Sequence, residues 1–192
     1  FGIACAREQI VETPDEALRA ARAFGAPVVL KILSAQITHK SEVGGVAIGV
    51  SPDAAGARLL AMADEVEARG GHRPRRFLVQ EHVSGGVELI LGLRRDPLGC
   101  AILLSAGGVA AEVLDDTAIR LLEPGCVLAR DEALAMAREL KAWPLLDGFR
   151  GRPRADVDAL LDAIVAFSRL AAQLGERVTQ AEINPIIVLP RG

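Results

Sequence analysis

Lysine is nearly absent from this chain of 192 residues: Lys31, Lys40 and Lys141 stand against 19 arginines. The scarcity marks places where a compact ammonium on a flexible stem is needed and a planar guanidinium would not serve, and two of the three lie close together. Asparagine is scarcer still, with Asn184 alone. Cysteine is limited to Cys5, Cys100 and Cys126, widely spaced among apolar residues. That pattern excludes a disulfide framework or a metal knuckle and predicts three reduced core residues. No apolar run approaches the ~20 residues of a membrane span, and FGIACAREQ lacks the charged-then-apolar layout of a secretion signal, so the chain reads as cytoplasmic. Positive charge is not in excess either. A formal net charge of -3 and a pI near 5.7 argue against a nucleic-acid module, which needs a clustered basic surface. The one local basic cluster, Arg73, Arg75 and Arg76, reads as a solvated loop before a strand. Internal repeats and low-complexity tracts are missing too.

What is present can fold. With 51% hydrophobic and 24% charged residues, the chain can bury a substantial core in one domain or two small lobes. PDEALRAARAF (14–24) has helical apolar spacing, Thr13 as N-cap, Pro14 in the first turn and Gly25 as a stop. Residues 27–33 (PVVLKIL) read as a buried strand that carries Lys31 inside it, and an internal lysine there must face a cleft or a partner. Residues 46–50 form a further strand and 51–70 a second helix. Three more strands, 76–83, 87–93 and 99–104, follow at turn-length spacings around Ser84-Gly85-Gly86 and Asp96-Pro97, which favours one antiparallel sheet with Gly85-Gly86 as a hairpin turn. A short strand-like piece runs to Leu114, Asp115-Asp116 makes a turn, and a strand covers 119–122. Residues 131–140 and 156–174 are amphipathic helices flanking the loop PLLDGFRGRPR, and 178–189 read as strand interrupted at Asn184-Pro185. Strand runs with separate helices predict an α+β fold, helices packed on antiparallel sheets.

Several of these segments carry chemistry. Glycine pairs at 44–45, 85–86 and 107–108 can turn backbone N–H groups into an anion-binding nest. Between Lys31 and Gly45 a strand lysine is followed by Thr38, His39, Lys40 and Ser41 and then two glycines. Ammonium groups, hydroxyls and amides are what a triphosphate needs, because phosphoryl transfer is catalysed mainly by positioning and charge neutralisation. The spacing is not GxxxxGK[ST], which disfavours a P-loop. Glu182 and Asn184, two apart in a strand, point to one face. A carboxylate and an amide oxygen together suit Mg²⁺; equally, Asn184-Pro185 reads as a turn.

PVVLKILSAQITHKSEVGGVAIGV, then VQEHVSGGVELILGLRRDPLGCAILLSAGG, EVLDD, RLLEP, DGFRG and AEINPIIV resemble, in that order, the ATP-grasp domain of NDP-forming acyl-CoA synthetases. The resemblance spans nearly all of residues 1–192. It implies an ATP-grasp fold of two antiparallel-sheet lobes, approximately 15–80 and 81–192, with the nucleotide between them. It implies ATP or ADP and Mg²⁺ as ligands, and partner domains that bind CoA and carry a phosphohistidine. By resemblance Lys31 contacts nucleotide phosphates; Gln80, Glu81 and Val83 belong to the strand that holds adenine and ribose; Glu88 is a second acidic position facing the nucleotide. Ser105 to Gly108, with Gly107 and Gly108 at its end, match the glycine loop near the phosphates, and Glu182 with Asn184 the metal end. His39 matches the histidine of the HKS motif, which either relays a phosphoryl group with Lys40 offsetting the charge or hydrogen-bonds a phosphate or the loop backbone. His72 and His82 lack such company and read as surface or structural residues. Arg120 and Arg150, in RLLEP and DGFRG, read as surface ion-pairing residues, with contact to phosphate or a partner domain as the alternative. Family domains begin before FGI and end with a further strand whose Asp completes the metal site, so a second metal carboxylate is expected outside this chain. A different expectation is a regulatory module, since similar domains accompany protein acetyltransferases; a carboxylate–amine ligase on the same fold is disfavoured by HKS and EINP together.

Overall fold

The structure is a computed structural model that describes residues 1–37, 40–108 and 115–191. The chain divides into two compact units, Cys5–Ser84 and Phe1–Ala4 with Gly85–Gly192, each with its own hydrophobic cluster.

The unit Cys5–Ser84 is a four-stranded antiparallel sheet backed by two helices. Strands β1 (Glu8–Val11), β2 (Val28–Leu33), β3 (Val46–Val50) and β4 (Arg76–Glu81) lie in the order β1-β4-β2-β3, and α1 (Pro14–Phe24) and α2 (Ala55–Gly70) complete it. The N-terminus of α1 is fastened by a reciprocal box: Thr13 Oγ1 accepts from Glu16 N, and the Glu16 carboxylate accepts from the Glu12 and Thr13 amides. Two of the four orphan donors of a helix start are thus satisfied. The buried face of α1 is Ala17, Ala20 and Ala21, short side chains that let α2 approach closely. In β2 the side chains of Val28, Leu30 and Ile32 enter the helix-side core, so the pleat sends Lys31 to the opposite face.

The second unit repeats the plan with different connections. Strands β5 (Val87–Asp96), β6 (Gly99–Ala106), β7 (Thr117–Leu122) and β8 (Gln180–Val188) form an antiparallel sheet in the order β7-β6-β5-β8. Helices α3 (Arg130–Glu139), α4 (Trp143–Leu146) and α5 (Val157–Leu174) belong to this unit. Leu89, Leu91 and Leu93 of β5 and Ile102 and Leu104 of β6 point into one core with Met136 of α3 and Phe167 of α5. Asp116 is buried, and its two carboxylate oxygens accept from the amides of Lys141 (2.7 Å) and Ala142 (2.9 Å). That pairing removes the cost of burying a carboxylate and ties the start of β7 to the chain entering α4.

The helices and most strands fall where the sequence places them, with three corrections. Residues 76–83 and 87–93 are not hairpin partners: β4 pairs with β1 and β2, β5 with β6 and β8. Gly85-Gly86 is therefore a crossover between sheets, and Gly86 is needed for close approach, since a Cβ there would lie 2.5 Å from Ile187 Cγ2 and 2.8 Å from Val188 O. Second, Cys5 and Cys126 are exposed and only Cys100 is buried. Cys5 precedes β1 and Cys126 follows the turn at Pro124-Gly125, so neither apolar neighbourhood is part of a packed strand. Third, Asn184-Pro185 does not turn the chain. β8 runs through it with a register shift, Leu89 pairing with Ile186 and Leu91 with Ile183. Two residues oppose Ile90 there, a bulge that accommodates a proline with no N–H to give the ladder. The piece expected up to Leu114 lies outside the described residues.

Candidate functional site

On the open face of the first sheet three polar side chains form a row across three strands. Lys31 Nζ of β2 donates to Gln80 Oε1 of β4 at 2.9 Å, and Gln80 Nε2 donates to Glu8 Oε2 of β1 at 2.9 Å. An ammonium only donates and a carboxylate only accepts, so the amide between them satisfies both in a single orientation. Half-burial holds the Lys31 pKa below the usual lysine value; Glu8 pulls it back up, and the positive charge of Lys40 pushes it further down. Two like charges that repel are an unfavourable pair without an anion and a favourable one around a polyphosphate.

Residues 40–45, which lead into β3, are anchored rather than open. Gly45 N donates to Lys40 O (2.7 Å), Gly44 N to Ser41 O (3.2 Å), and Ile32 N to Gly45 O (2.9 Å). Both glycine amides are consumed internally, which corrects the expectation of an anion nest at 44–45. They instead fix the backbone of Lys40 against β2. Thr38 and His39 lie outside the described residues. Next along β4, Glu81 accepts from Arg7 Nε (3.1 Å) and Nη2 (3.0 Å), while the Arg7 guanidinium sits 5.1 Å from the centre of the Phe24 ring. This pairing draws the Glu81 carboxyl below the usual range. Val83 follows in the same unit, half-buried. His82 is half-buried and its amide donates to Pro27 O, whereas His72 is exposed.

In the second unit the face of the sheet away from the core carries the other predicted residues. Inward positions of β8 run Ala181 and Ile183, then Ile186 and Val188, the parity changing at the bulge. Glu182 and Asn184 therefore share the outer face, and Asn184 Nδ2 donates to Glu182 Oε1 at 3.1 Å. Glu88 of β5 is exposed; its backbone carbonyl accepts from Gly107 N at 2.9 Å, and a Cβ on Gly107 would lie 2.8 Å from Glu88 C and O. Gly108, with φ 69°, lies so close to the Glu88 carboxylate that a Cβ would sit 3.0 Å from Oε2. The glycine loop is thus pressed onto Glu88 by a fit only glycine permits. Ser105 Oγ and Thr117 Oγ1 are bonded on the neighbouring strands at 2.7 Å.

Among the described residues no group of three or more His, Cys, Asp or Glu could hold a metal ion. Glu182 and Asn184 nevertheless fit a hard divalent cation as a partial set, because Mg²⁺ takes one or two protein oxygens and completes its octahedron with waters and phosphate oxygens. Arg120 is ion-paired with Glu139, and Arg150 stacks 5.1 Å from the Phe149 ring centre.

A sequence model described as an ATP-grasp domain matches residues 1–192. The chain belongs to the ATP-grasp family. This ATP-grasp domain is 39% identical over 194 residues to acetate–CoA ligase [ADP-forming] I of Archaeoglobus fulgidus, all of the chain aligning with 28% of that protein's length. It is 34% identical over 191 residues to acetate–CoA ligase [ADP-forming] I subunit beta of Pyrococcus furiosus, covering 97% of the chain and 79% of the subunit. A solved structure of dinucleotide-forming acetyl-coenzyme A synthetase 1 from Ca. Korarchaeum cryptofilum, in complex with coenzyme A, Ca-AMPCP and HgCl+, superposes with a TM-score of 0.88 at 34% identity, over 100% of this chain and 82% of that one. The ATP-grasp domain thus spans most of a β subunit and about a quarter of the longer ligase.

The sequence reading of this ATP-grasp domain missed Glu8, Arg7 and Asp116. Arg7 and Glu8 sit in a stretch, AREQIV, too polar and too short to announce a strand, and their partners lie 74 and 72 residues away. Asp116 was legible only as a turn residue. Its signal is burial, which the sequence does not display. No helix among the described residues is long and apolar enough to cross a membrane.

Proposed function

We propose that this ATP-grasp domain binds ATP or ADP with Mg²⁺ and moves a phosphoryl group for an ADP-forming acyl-CoA ligase, which interconverts acyl-CoA, ADP and phosphate with carboxylate, CoA and ATP. The observation that carries the reading is the half-buried Lys31 ammonium. It is held by Gln80 on the open sheet face and feels the Lys40 charge, in a chain that aligns with 79% of a ligase β subunit. A half-desolvated cation beside a second cation is a site for a polyanion.

Lys31 and Lys40 neutralise β- and γ-phosphate charge. Gln80, Glu81 and Val83 line the adenosine end, with Arg7 holding the Glu81 carboxylate in one orientation. Glu88 and the Gly107-Gly108 loop approach the nucleotide without side-chain obstruction. Mg²⁺, when bound, offsets the charge of the phosphate oxygens at Glu182 and Asn184. His39, by its place in the HKS motif, takes the phosphoryl group: an imidazole nitrogen forms a bond to the γ-phosphorus, the bond from that phosphorus to the bridging oxygen breaks, and ADP departs with the electron pair. CoA-binding and phosphohistidine-bearing partner domains complete the reaction. The ligase relatives favour this reading over a regulatory module.

The test is incubation of the full-length protein with γ-labelled ATP. The expected result is an acid-labile, base-stable label that is lost in His39→Ala. Unlabelled wild-type protein contradicts phosphoryl transfer to the chain, and unchanged label in the variant removes His39 as acceptor.

A further inference from the structure

The polar row on the first sheet has a member that no nucleotide-contact role explains. Glu8 is exposed on an edge strand, where a solvated glutamate needs no partner, yet its carboxylate accepts from Gln80 Nε2 at 2.9 Å. Gln80 in turn accepts from Lys31 Nζ at 2.9 Å. We propose that Glu8 is a positioning residue for Lys31, acting through Gln80 to hold the ammonium where it meets the nucleotide phosphate. The inference rests on the nucleotide reading above and deepens it.

The Gln80 amide links the two charges. A glutamine side chain can present either its oxygen or its NH₂ to a neighbour, and the two ends differ little in shape. Toward an ammonium only the oxygen is favourable; the NH₂ would set donor against donor. Glu8 settles the choice, because a carboxylate has only acceptors and draws the NH₂ to itself. Gln80 then offers its oxygen to Lys31 before any ligand arrives, taking one of the three ammonium donors and leaving the group oriented rather than sweeping through rotamers. Preorganisation of this kind improves binding by lowering the ordering cost.

The register of β1 on β4 is what makes the row possible. Glu8 pairs with Gln80, and the adjacent Arg7–Glu81 pair locks the alignment from the other face. A slip of one residue would send Glu8 to the helix side. Among the described residues the charges acting on Lys31 are Glu8 from β1, which favours the charged form, and Lys40 from the loop after β2, which opposes it. The two have opposite signs, so their removal has opposite consequences.

The experiment is calorimetric titration of Mg-ATP into the full-length protein from neutral pH to about 10, the region where lysine titrates. Affinity falls as pH rises through the Lys31 pKa, since the ammonium is the form that binds phosphate. Glu8→Gln is expected to weaken binding about two- to fivefold, the range for a partly exposed charge contact. It is also expected to move the alkaline fall-off to lower pH. Glu8→Asp, which keeps the charge on a shorter stem, keeps the fall-off nearer the wild-type position. Glu12→Gln, a neighbouring exposed carboxylate paired with Arg76, leaves it unmoved. Steady-state kinetics should show the effect of Glu8→Gln in KM for ATP with kcat nearly unchanged. Circular dichroism verifies that each variant is folded. If Lys31→Met weakens Mg-ATP binding while Glu8→Gln has wild-type affinity and an unshifted fall-off, the positioning role is wrong and the nucleotide reading stands. If the wild-type protein does not bind Mg-ATP, both are wrong.

Discussion

At the scale of single residues, several groups have neighbours that leave them no alternative. Asp116 is one: a buried carboxylate accepting two backbone amides. Its replacement in Asp116→Ala strands both donors and is expected to cost about 2 kcal/mol, read from urea unfolding. Gly107 is another, because a Cβ there would collide with Glu88 backbone at 2.8 Å, and backbone cannot move aside as a flexible side chain can. Gly107→Ala should lower the melting temperature by several degrees, about 1–3 kcal/mol for a strained core-adjacent site, and weaken nucleotide binding. Residues of this kind were unevenly legible. Lys31 stood out because a lysine inside VVLKIL has to be explained, and Glu182 with Asn184 because strand spacing puts them on one face. Glu8 gave no such signal. Nothing within its own stretch is unusual, and its role exists only because β1 pairs with a strand 72 residues on.

At the scale of elements, local sequence rules locate helices well and pairings poorly. Thr13, Pro14 and Gly25 bound α1 by cap chemistry that is entirely local, and the observed helix is Pro14–Phe24. The connection from β4 to β5 looked like a hairpin because glycine turns of that length serve hairpins and crossovers alike. Which strands pair is decided by each unit's core, not by the loop. The short α4, which starts one residue before PLLDGFRGRPR, escaped for a related reason: four residues are too few for a helical period to register. The box at the start of α1 carries its own pH dependence. Backbone hydrogen bonds from Glu12 and Thr13 hold the Glu16 carboxyl below the usual glutamate range. Stability from this group is therefore complete above the unfolded carboxylate pKa and is lost as pH falls through the lower folded value. Thermal melts of wild type and Glu16→Gln should differ at neutral pH and converge in acid. A gap that persists unchanged into acid would assign the effect to packing. Thr13→Ala removes the other half of the box and should cost about 1 kcal/mol.

At the scale of the molecule, two sheets with separate hydrophobic clusters make two cooperative structures out of one chain. Phe77 belongs to the cluster of Cys5–Ser84 and Leu104 to that of the other unit, both fully or nearly fully buried. Truncating either to alanine should cost about 3–5 kcal/mol, with hydrogen exchange accelerating first in the amides of the unit that lost the side chain. The same division allocates the chemistry. One unit carries the polar row of Lys31, Gln80 and Glu8; the other carries the oxygen pair of Glu182 and Asn184 and the glycine loop on Glu88.

The central claim is that the half-buried Lys31 ammonium binds nucleotide phosphate. It is tested most directly by titrating Mg-ATP at neutral pH into the full-length protein and its folded Lys31→Met variant. The account predicts saturable binding by the wild type and a loss of at least about tenfold in the variant, the cost of a charge-assisted contact. Equal affinity in the two proteins would contradict it.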